Sequence, residues 1–468
     1  MPQPTTETLI ARRAFLRGAG GMGVGSLAFN QLLSCDASAI TTDPNLPALG
    51  QMAPTAKSVI FLHMVGAPSQ LDLFDPKPKL QDFHGKPAPA EFIEGKRFAF
   101  LRGHPKMMAS PFEFETLNQG QEISELLPHL KTVAGDIAIV RSMKTEDFNH
   151  APAQMYFHSG LNRIGRPSIG SWVTYGLGSQ CSDLPAYVVM VSGGVAGAGA
   201  SLWSNGFLPS VYQGVEFRSE GDPVLFLSDP KGVDRARRRR ILDGINELNA
   251  LELENTDDPE IRTRMAQYEL AFKMQMSVPE LTDLSTEPEP VREMYGNSGF
   301  AKHCLQARRL VERGVRFVEL YNASWDHHSG INNNIKKKAK EIDQPIAALL
   351  KDLKMRGLLD ETLIVWGSEF GRTPMFQGGK LEGAGRDHHK EAYTIWMAGG
   401  GIRGGISHGE TDDFGYNITK NPVLIRDLHA TILHALGMDH EQVTFKFQGL
   451  DQRLTGTEDT TVQTDLFG

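Results

Sequence analysis

The segment from Asp343 to Pro374, DQPIAALLKDLKMRGLLDETLIVWGSEFGRTP, constrains the fold more than any other. Ile346, Leu349, Leu350 and Leu353 fall at offsets of 0, 3, 4 and 7, along one face of an α-helix. Asp343 is placed to cap that helix, and Pro345 falls in a first turn where its missing N–H costs no hydrogen bond. Gly357 stands where the helix would end. Thr362 to Trp366 (TLIVW) is an unbroken β-branched and apolar run, the pattern of a strand covered on both faces. A charged loop follows, Gly367-Ser368-Glu369-Phe370-Gly371-Arg372. Ligands of open α/β sheets gather at the carboxyl ends of strands, so Glu369 and Arg372 stand where chemistry is expected.

The same alternation recurs along the chain. Ser58 to Met64, Ile137 to Val140, Ala186 to Val191, Val315 to Tyr321 and Tyr393 to Ala398 read as strands. Ile123 to Val133, Phe300 to Arg313 and Ile425 to Leu436 read as helices. Strands alternating with helices predict an α/β fold, a mainly parallel sheet with helices on both faces. Residues from about 229 to 295 break the rhythm. Arg235 to Ala250 and Glu260 to Met276 have helical spacing with no strand between them, which predicts a helical insertion. The 468 residues suffice for one large domain, read here as 57–468 after a linker at 40–56.

The first 39 residues read as a signal peptide. Arg12-Arg13-Ala14-Phe15-Leu16 is a twin-arginine pattern, and the Gly-rich apolar stretch behind it is too short to span a bilayer. The expectation is export through the twin-arginine translocon to the periplasm or cell envelope. Leu32-Leu33-Ser34-Cys35 looks like a lipobox, which would confine membrane contact to a lipid anchor at Cys35. Ordinary cleavage near Ala37-Ser38-Ala39 is the alternative. The other two cysteines, Cys181 and Cys304, leave a single disulfide open, and without a CxxC pair any metal must be held by oxygen and imidazole. A formal net charge of −8 argues against nucleic acid as a partner. The basic run Arg235 to Arg240 reads as a solvated helix face.

Four loops carry the residue types that do chemistry: Asp72 with Ser69 and Gln70, Asn149-His150, Trp325-Asp326-His327-His328, and Glu369 and Arg372 with Arg386-Asp387-His388-His389. Carboxylates with imidazoles and no thiolates suit a divalent cation such as zinc, calcium or manganese. Arg141, Arg166 and Arg372 offer bidentate donors to an oxyanion. Set against this, Asp72 and Asn149 are also plausible caps, and His158, His434 and His440 read as packing or surface residues.

Taken together, these segments resemble a known family. The stretch DQPIAALLKDLKMRGLLDETLIVWGSEFG resembles the part of sulfatases and alkaline-phosphatase-superfamily hydrolases that ends in a metal-binding Ser-Asp-His-Gly. DLHATILHALG resembles that superfamily's closing helix, and HAPAQMYFHSG its nucleophile helix. With RRAFLR, GAPSQLDLFDPKP, GRPSIGSW, WDHH, EFGRTP, GRDHH and WMAGGG, the chain resembles the exported DUF1501 family over essentially its whole length. The resemblance implies an alkaline-phosphatase-like three-layer sandwich.

It also implies roles for residues. The nucleophile position falls on His150, with Pro152 two residues on, so the usual hydroxyl or cysteine is absent. Glu369-Phe370 stands where the superfamily has its Asp-His pair. On this basis Asp72, Asp326, His328, Glu369, His388 and His389 are the expected metal ligands. His150 is expected as general base or nucleophile, beside Asn149, and Arg372 as the oxyanion donor. The function implied is an exported metal-dependent hydrolase acting on a small-molecule or polysaccharide sulfate or phosphate ester. The alternative is a non-catalytic envelope or glycan-binding protein that keeps the fold.

Overall fold

The structure is a computed structural model that describes residues 52–468, apart from 196, 219–221, 225–227, 230–231 and 379. The twin-arginine segment, Cys35 and the linker up to residue 51 lie outside the described residues. The main sheet is built from β1 (Ser58–Met64), β2 (Ile137–Lys144), β3 (Tyr187–Ser192), β4 (Val215–Phe217), β5 (Phe317–Asn322) and β6 (Thr362–Gly367). Beyond these, a hairpin of β7 (Gly371–Gln377) and β8 (Gly385–His389) precedes β9 (Tyr393–Ala398), β10 (Ile406–His408) and β11 (Val423–Leu424). The nine-stranded sheet has the order β10-β2-β9-β6-β1-β5-β3-β4, with β11 also paired to β2. Only β9 runs against the rest, antiparallel to both β6 and β2.

The strands are continuous apolar runs because both faces are covered. On β1, Ile60, Leu62 and Met64 enter one core with Leu305 and Leu349. These two lie on α5 (Gly299–Glu312) and α6 (Ile331–Met355), which follow in chain order α1 (His150–Ser159), α2 (Ile169–Leu177), α3 (Arg235–Thr256) and α4 (Pro259–Thr282). The alternate residues of β1, Phe61 and His63, face α1, where Phe61 packs on Phe157 at 5.4 Å between ring centroids. The last helix, α7 (Ile425–Ala435), joins α1 through His429, whose Nε2 lies 2.9 Å from the Phe157 carbonyl. The fold is thus a mixed α/β sandwich with helices on both faces. Within the stretch read as an insertion, α3 and α4 are consecutive helices, and the basic run Arg235–Arg240 is largely exposed.

Three local expectations are corrected. Helix α6 begins at Ile331 rather than near Asp343, because Ile331, Ile335, Ala339 and Ile342 continue its apolar stripe. Asp343 therefore caps another element: its carboxylate accepts from the backbone N–H groups of His129 and Leu130 at 2.8 and 2.7 Å. Gly357 does end α6, with φ of 69° and a bond of 2.8 Å from Leu358 N to the Leu353 carbonyl. The helix expected from Ile123 is instead a hairpin strand, Gln121–Ser124, and helix appears only at Pro128–Lys131, where proline suits a first turn. The expected loop after β6 is the buried β7–β8 hairpin. Among the described residues no disulfide forms: Cys181 and Cys304 are both free and buried, and Cys304 sits in the apolar core.

Candidate metal centre

The carboxyl ends of β1, β5 and β6 meet the start of α1 and the end of β8. The loop after β5 is pinned by Trp325, fully buried, whose indole N–H donates to Asn322 Oδ1 at 3.0 Å and whose backbone N–H reaches the Val65 carbonyl. Gly66, with φ of 108°, lets the β1 loop cross this one, since a Cβ there would lie 2.6 Å from Asp326 N. These contacts aim Asp326 and His328 at the site and turn His327 away, toward the Ser324 carbonyl.

His150, Asp326, His328 and His388 each present one ligating atom, all within 4.8 Å of one another. The far nitrogens of the three rings are already committed. His150 Nδ1 lies 2.7 Å from Glu369 Oε1, His328 Nδ1 2.5 Å from Gln377 Oε1, and His388 Nδ1 2.6 Å from the Phe148 carbonyl. Each of those partners is an acceptor, so each Nδ1 carries a proton, and in the neutral ring each Nε2 offers a lone pair. His328 Nε2 and His388 Nε2 face each other at 3.0 Å, and lie 2.8 and 3.2 Å from Asp326 Oδ1. His150 Nε2 is 3.2 Å from Asp326 Oδ2 but off the ring axis, and this buried nitrogen has no hydrogen-bond partner. Lone pairs meeting lone pairs and a carboxylate is a repulsive arrangement unless positive charge sits among them. Rings oriented by outer acceptors, with their free nitrogens converging, are the pattern of a metal-binding histidine set.

Electrostatics agree. Burial opposes charge on His150, but Asp326 and Glu369 outweigh it and push the ring up to about 9. Burial lowers His388. Burial alone would raise Asp326, yet the three rings and Arg372 hold its carboxylate far below the usual range. A His150 ring so raised carries a second proton, at Nε2, and a cation binding there would displace it. Its donors, three imidazoles and one carboxylate, fit zinc better than the all-oxygen preference of calcium.

Other expected site residues serve differently. Glu369 is fully buried behind His150 rather than among the ligands, accepting also from Gly66 N, Gln154 Nε2 and His63 Nε2. Arg372 is likewise buried. Its donors go to the carbonyls of Gly66, Ala67 and Arg386 and to Asp326 Oδ1 at 2.6 Å, so it holds the loop and the aspartate instead of facing a substrate. Asp72 does not join the cluster: it pairs with Arg386 at 2.8 Å and accepts from Ser69. His389 points the other way along β8, with Nε2 2.7 Å from the Tyr416 carbonyl. Arg141 and Arg166 are also elsewhere, on Gly120 and Glu122, and on Gln452 and Arg453.

Two hollows adjoin the cluster. A cavity of about 370 Å³ is lined by Gly66, His150, Gln154, Ser324 and Asp326, whose side chain is 40% exposed. A second cavity, of about 610 Å³, is lined by Lys96, Arg97, Arg102, Phe100 and Asn149, with no carboxylate in its lining, and Phe100 stands between it and the rings. The Asn149 side chain caps nothing, although the residue precedes α1. Phe100 stands edge-on to His328 and His388 at 4.8 and 5.5 Å. Asp387, between Arg386 and His388, fixes this loop by accepting from Phe100 N and Leu101 N at 2.9 Å. The 96–102 loop is not among the loops singled out from the sequence, although the Lys96-Arg97 pair and Arg102 around Phe98 and Phe100 are the visible trace of a cationic wall.

The family model described as "Protein of unknown function (DUF1501)" matches residues 56–466. No curated protein matches the chain. Among solved structures, the chain is similar to alkaline phosphatase from the Antarctic bacterium TAB5, at 12% identity and a TM-score of 0.33 over 83% of this chain and 100% of that one. It is similar to a phosphonate monoester hydrolase from Silicibacter pomeroyi at 12% identity and a TM-score of 0.35, covering 87% and 76%. The PsFucS1 sulfatase from Pseudoalteromonas sp. gives 14% identity and a TM-score of 0.36, covering 89% and 74%. At these values the chemistry has to be read from the residues of this chain.

Proposed function

We propose that this chain, which belongs to the DUF1501 family, is a hydrolase of sulfate or phosphate esters working with a divalent cation held by His150, Asp326, His328 and His388. The observation that carries this reading is the convergence of three Nε2 lone pairs on one carboxylate, with every Nδ1 tied to an outer acceptor. A cation bound there would supply Lewis acidity toward an ester oxygen and a lowered pKa for a water.

The chain's own residues do the rest. Glu369 keeps the His150 ring turned, and Arg372 keeps Asp326 aimed. Lys96, Arg97 and Arg102 draw an anionic ester to the cavity beside the cluster, where Phe100 covers the rings. With its Nδ1 donating and its Nε2 turned inward, His150 serves as a ligand and is not free as the general base that its position in the sequence suggested. The cluster itself contains no hydroxyl or thiol, so water is the attacking group in this reading.

On the strength of Arg12-Arg13 and Leu32-Leu33-Ser34-Cys35, the substrate is a small-molecule or polysaccharide ester met outside the cytoplasm. Among the described residues no helix is long and apolar enough to cross a membrane.

The test is metal content and hydrolysis of aryl sulfates and phosphate mono- and diesters by the metal-stripped and zinc-restored protein. The expected result is about one zinc per chain, activity only when restored, and loss of both in Asp326→Ala. Wild-type protein that takes up no metal overturns the reading. Uptake without hydrolysis, with binding of a sulfated polysaccharide that Asp326→Ala leaves intact, replaces the enzyme by a glycan-binding protein.

A further inference from the structure

Behind the cluster, a line of ionisable side chains runs through the core of the sheet. Glu369 Oε2 lies 3.1 Å from His63 Nε2, and His63 Nδ1 lies 3.0 Å from His158 Nε2. His158 Nδ1 is 2.8 Å from Glu319 Oε1, off the ring axis, and Glu319 Oε2 accepts a short bond from the Tyr187 hydroxyl. Four of the five are fully buried and Tyr187 is 2% exposed, among Phe61, Phe157, Phe317 and Tyr321. The sequence builds this line from strand alternation and helix spacing. His63 and Glu319 point to the α1 side of β1 and β5. His150, Gln154 and His158 recur every fourth residue and share one face of α1.

Hydrogen bonding fixes the direction of the line. Glu369 accepts at Oε1 from Gly66 N, Gln154 and His150 and at Oε2 from the Ser368 hydroxyl, so it acts as a carboxylate, and His63 donates to it from Nε2. The buried His63 ring, neutral, then has a bare Nδ1, which needs a donor, and His158 Nε2 supplies it. His158 Nδ1 and Glu319 Oε1 in turn need a proton between them, on one or the other. From His158 onward, each bond points toward Glu369. Burying two carboxylates and two imidazoles in an aromatic core costs several kcal/mol that an apolar core would avoid, which is reason to look for a task beyond packing.

We propose that His63 and His158, anchored by Glu319 and Tyr187, are positioning residues that hold Glu369 as a one-way acceptor, so that His150 presents Nε2 to a bound cation. This rests on the metal reading given above, and it makes metal affinity depend on side chains that touch neither cation nor substrate. His158→Phe removes the donor to His63 and keeps an aromatic ring, whereas His158→Gln restores an N–H at the same depth.

The experiment measures the zinc dissociation constant of the full chain against a chelator, with the thermal midpoint of the stripped protein alongside. His158→Phe should weaken zinc binding about tenfold or more, and His158→Gln should recover most of it at whatever stability each variant has. Folded His158→Phe protein with wild-type zinc affinity, or a Gln variant as weak as the Phe variant, overturns the proposal. Imidazole ¹⁵N spectra of the stripped wild type supply a readout independent of folding in the variants. His63 should be protonated at Nε2 and bare at Nδ1, and the opposite tautomer also overturns the proposal. A wild type that binds no zinc shows up in the reference measurement and condemns the metal reading itself.

Discussion

Arg308 and Arg356 meet Asp352, Glu287 and Glu312 where α5 packs on α6, while at the strand ends three imidazoles meet one carboxylate. Both are crowded and partly buried, yet they are built on opposite rules. In the first, unlike charges alternate. Arg308, 2% exposed, reaches Asp352 at 2.9 Å and Glu312 and Glu287 at 2.6 Å, and Arg356 closes the set on Asp352 at 2.7 Å. Every cation has its anion. In the second, like atoms face each other, His328 Nε2 and His388 Nε2 at 3.0 Å, and His150 Nε2 has no partner. Alternating charges explain themselves by stability, whereas imidazoles converging on one carboxylate call for a cation.

The sharpest way to break this contrast is to damage the complete network. Asp352→Ala leaves the Arg308 guanidinium buried beside fewer anions and frees the Tyr295 hydroxyl bonded to the same carboxylate at 3.1 Å. Removing one partner of a buried pair costs about 3–5 kcal/mol. The variant should lose that much in urea unfolding and keep the wild-type zinc affinity. A large fall in affinity with unchanged stability would show that the two clusters are not separable by these rules.

A second variant sharpens the comparison with a ring whose pKa is set chiefly by burial. His429 is buried on α7, and burial lowers its pKa to about 4. Its folded value lies below the unfolded value near 6.5, so the unfolded state takes up the proton first as pH falls. Stability from this group is complete above pH 6.5 and is lost progressively down to about pH 4. Between pH 7.5 and 4.5 the loss is about 2.5 kcal/mol. His429→Gln, which keeps an N–H for the Phe157 carbonyl, should show a correspondingly shallower fall in urea-derived stability across that range. Parallel curves for the two proteins would remove His429 as a source of acid sensitivity.

How far the sequence reached follows the same physics. The strands Ser58–Met64 and Thr362–Gly367 were legible because apolar runs bounded by turns have few other uses. The β7–β8 hairpin was not, because GRTPMFQ and GRDHH are polar, and only Asp72 opposite Arg386 and Gln70 on Arg372 make them buried strands. Those partners are some 300 residues away in sequence. Asp326, His328 and His388 could be singled out as acidic and histidine-rich loops at strand ends. The assignment of Glu369 as a ligand could not be settled there, since it turns on which side of His150 the glutamate lies. His158 reads as packing in one dimension and becomes part of a polar line only when β1 and β5 bring His63 and Glu319 beside it.

The smallest effect bears most directly on what distinguishes the metal cluster. Two of its three rings are oriented by groups that cannot be removed cleanly: Phe148 acts through its carbonyl, and Glu369 carries the buried line behind it. The His328 ring depends on Gln377 Oε1, a half-buried amide on β7. Gln377→Ala leaves the ring free to turn and its proton free to move to Nε2, so part of the population presents a donor where a lone pair is needed. Loss of such an outer partner costs about tenfold in metal affinity, or ~1.4 kcal/mol. Stability of the stripped protein should stay within about 0.5 kcal/mol, because the position is partly solvated. Gln377→Glu, which keeps an acceptor at the same reach, should bind zinc as well as wild type or better. If Gln377→Ala binds zinc unchanged, His328 is oriented by the Phe100 edge and Asp326 alone, and acceptor-fixed tautomers do not explain its place in the cluster.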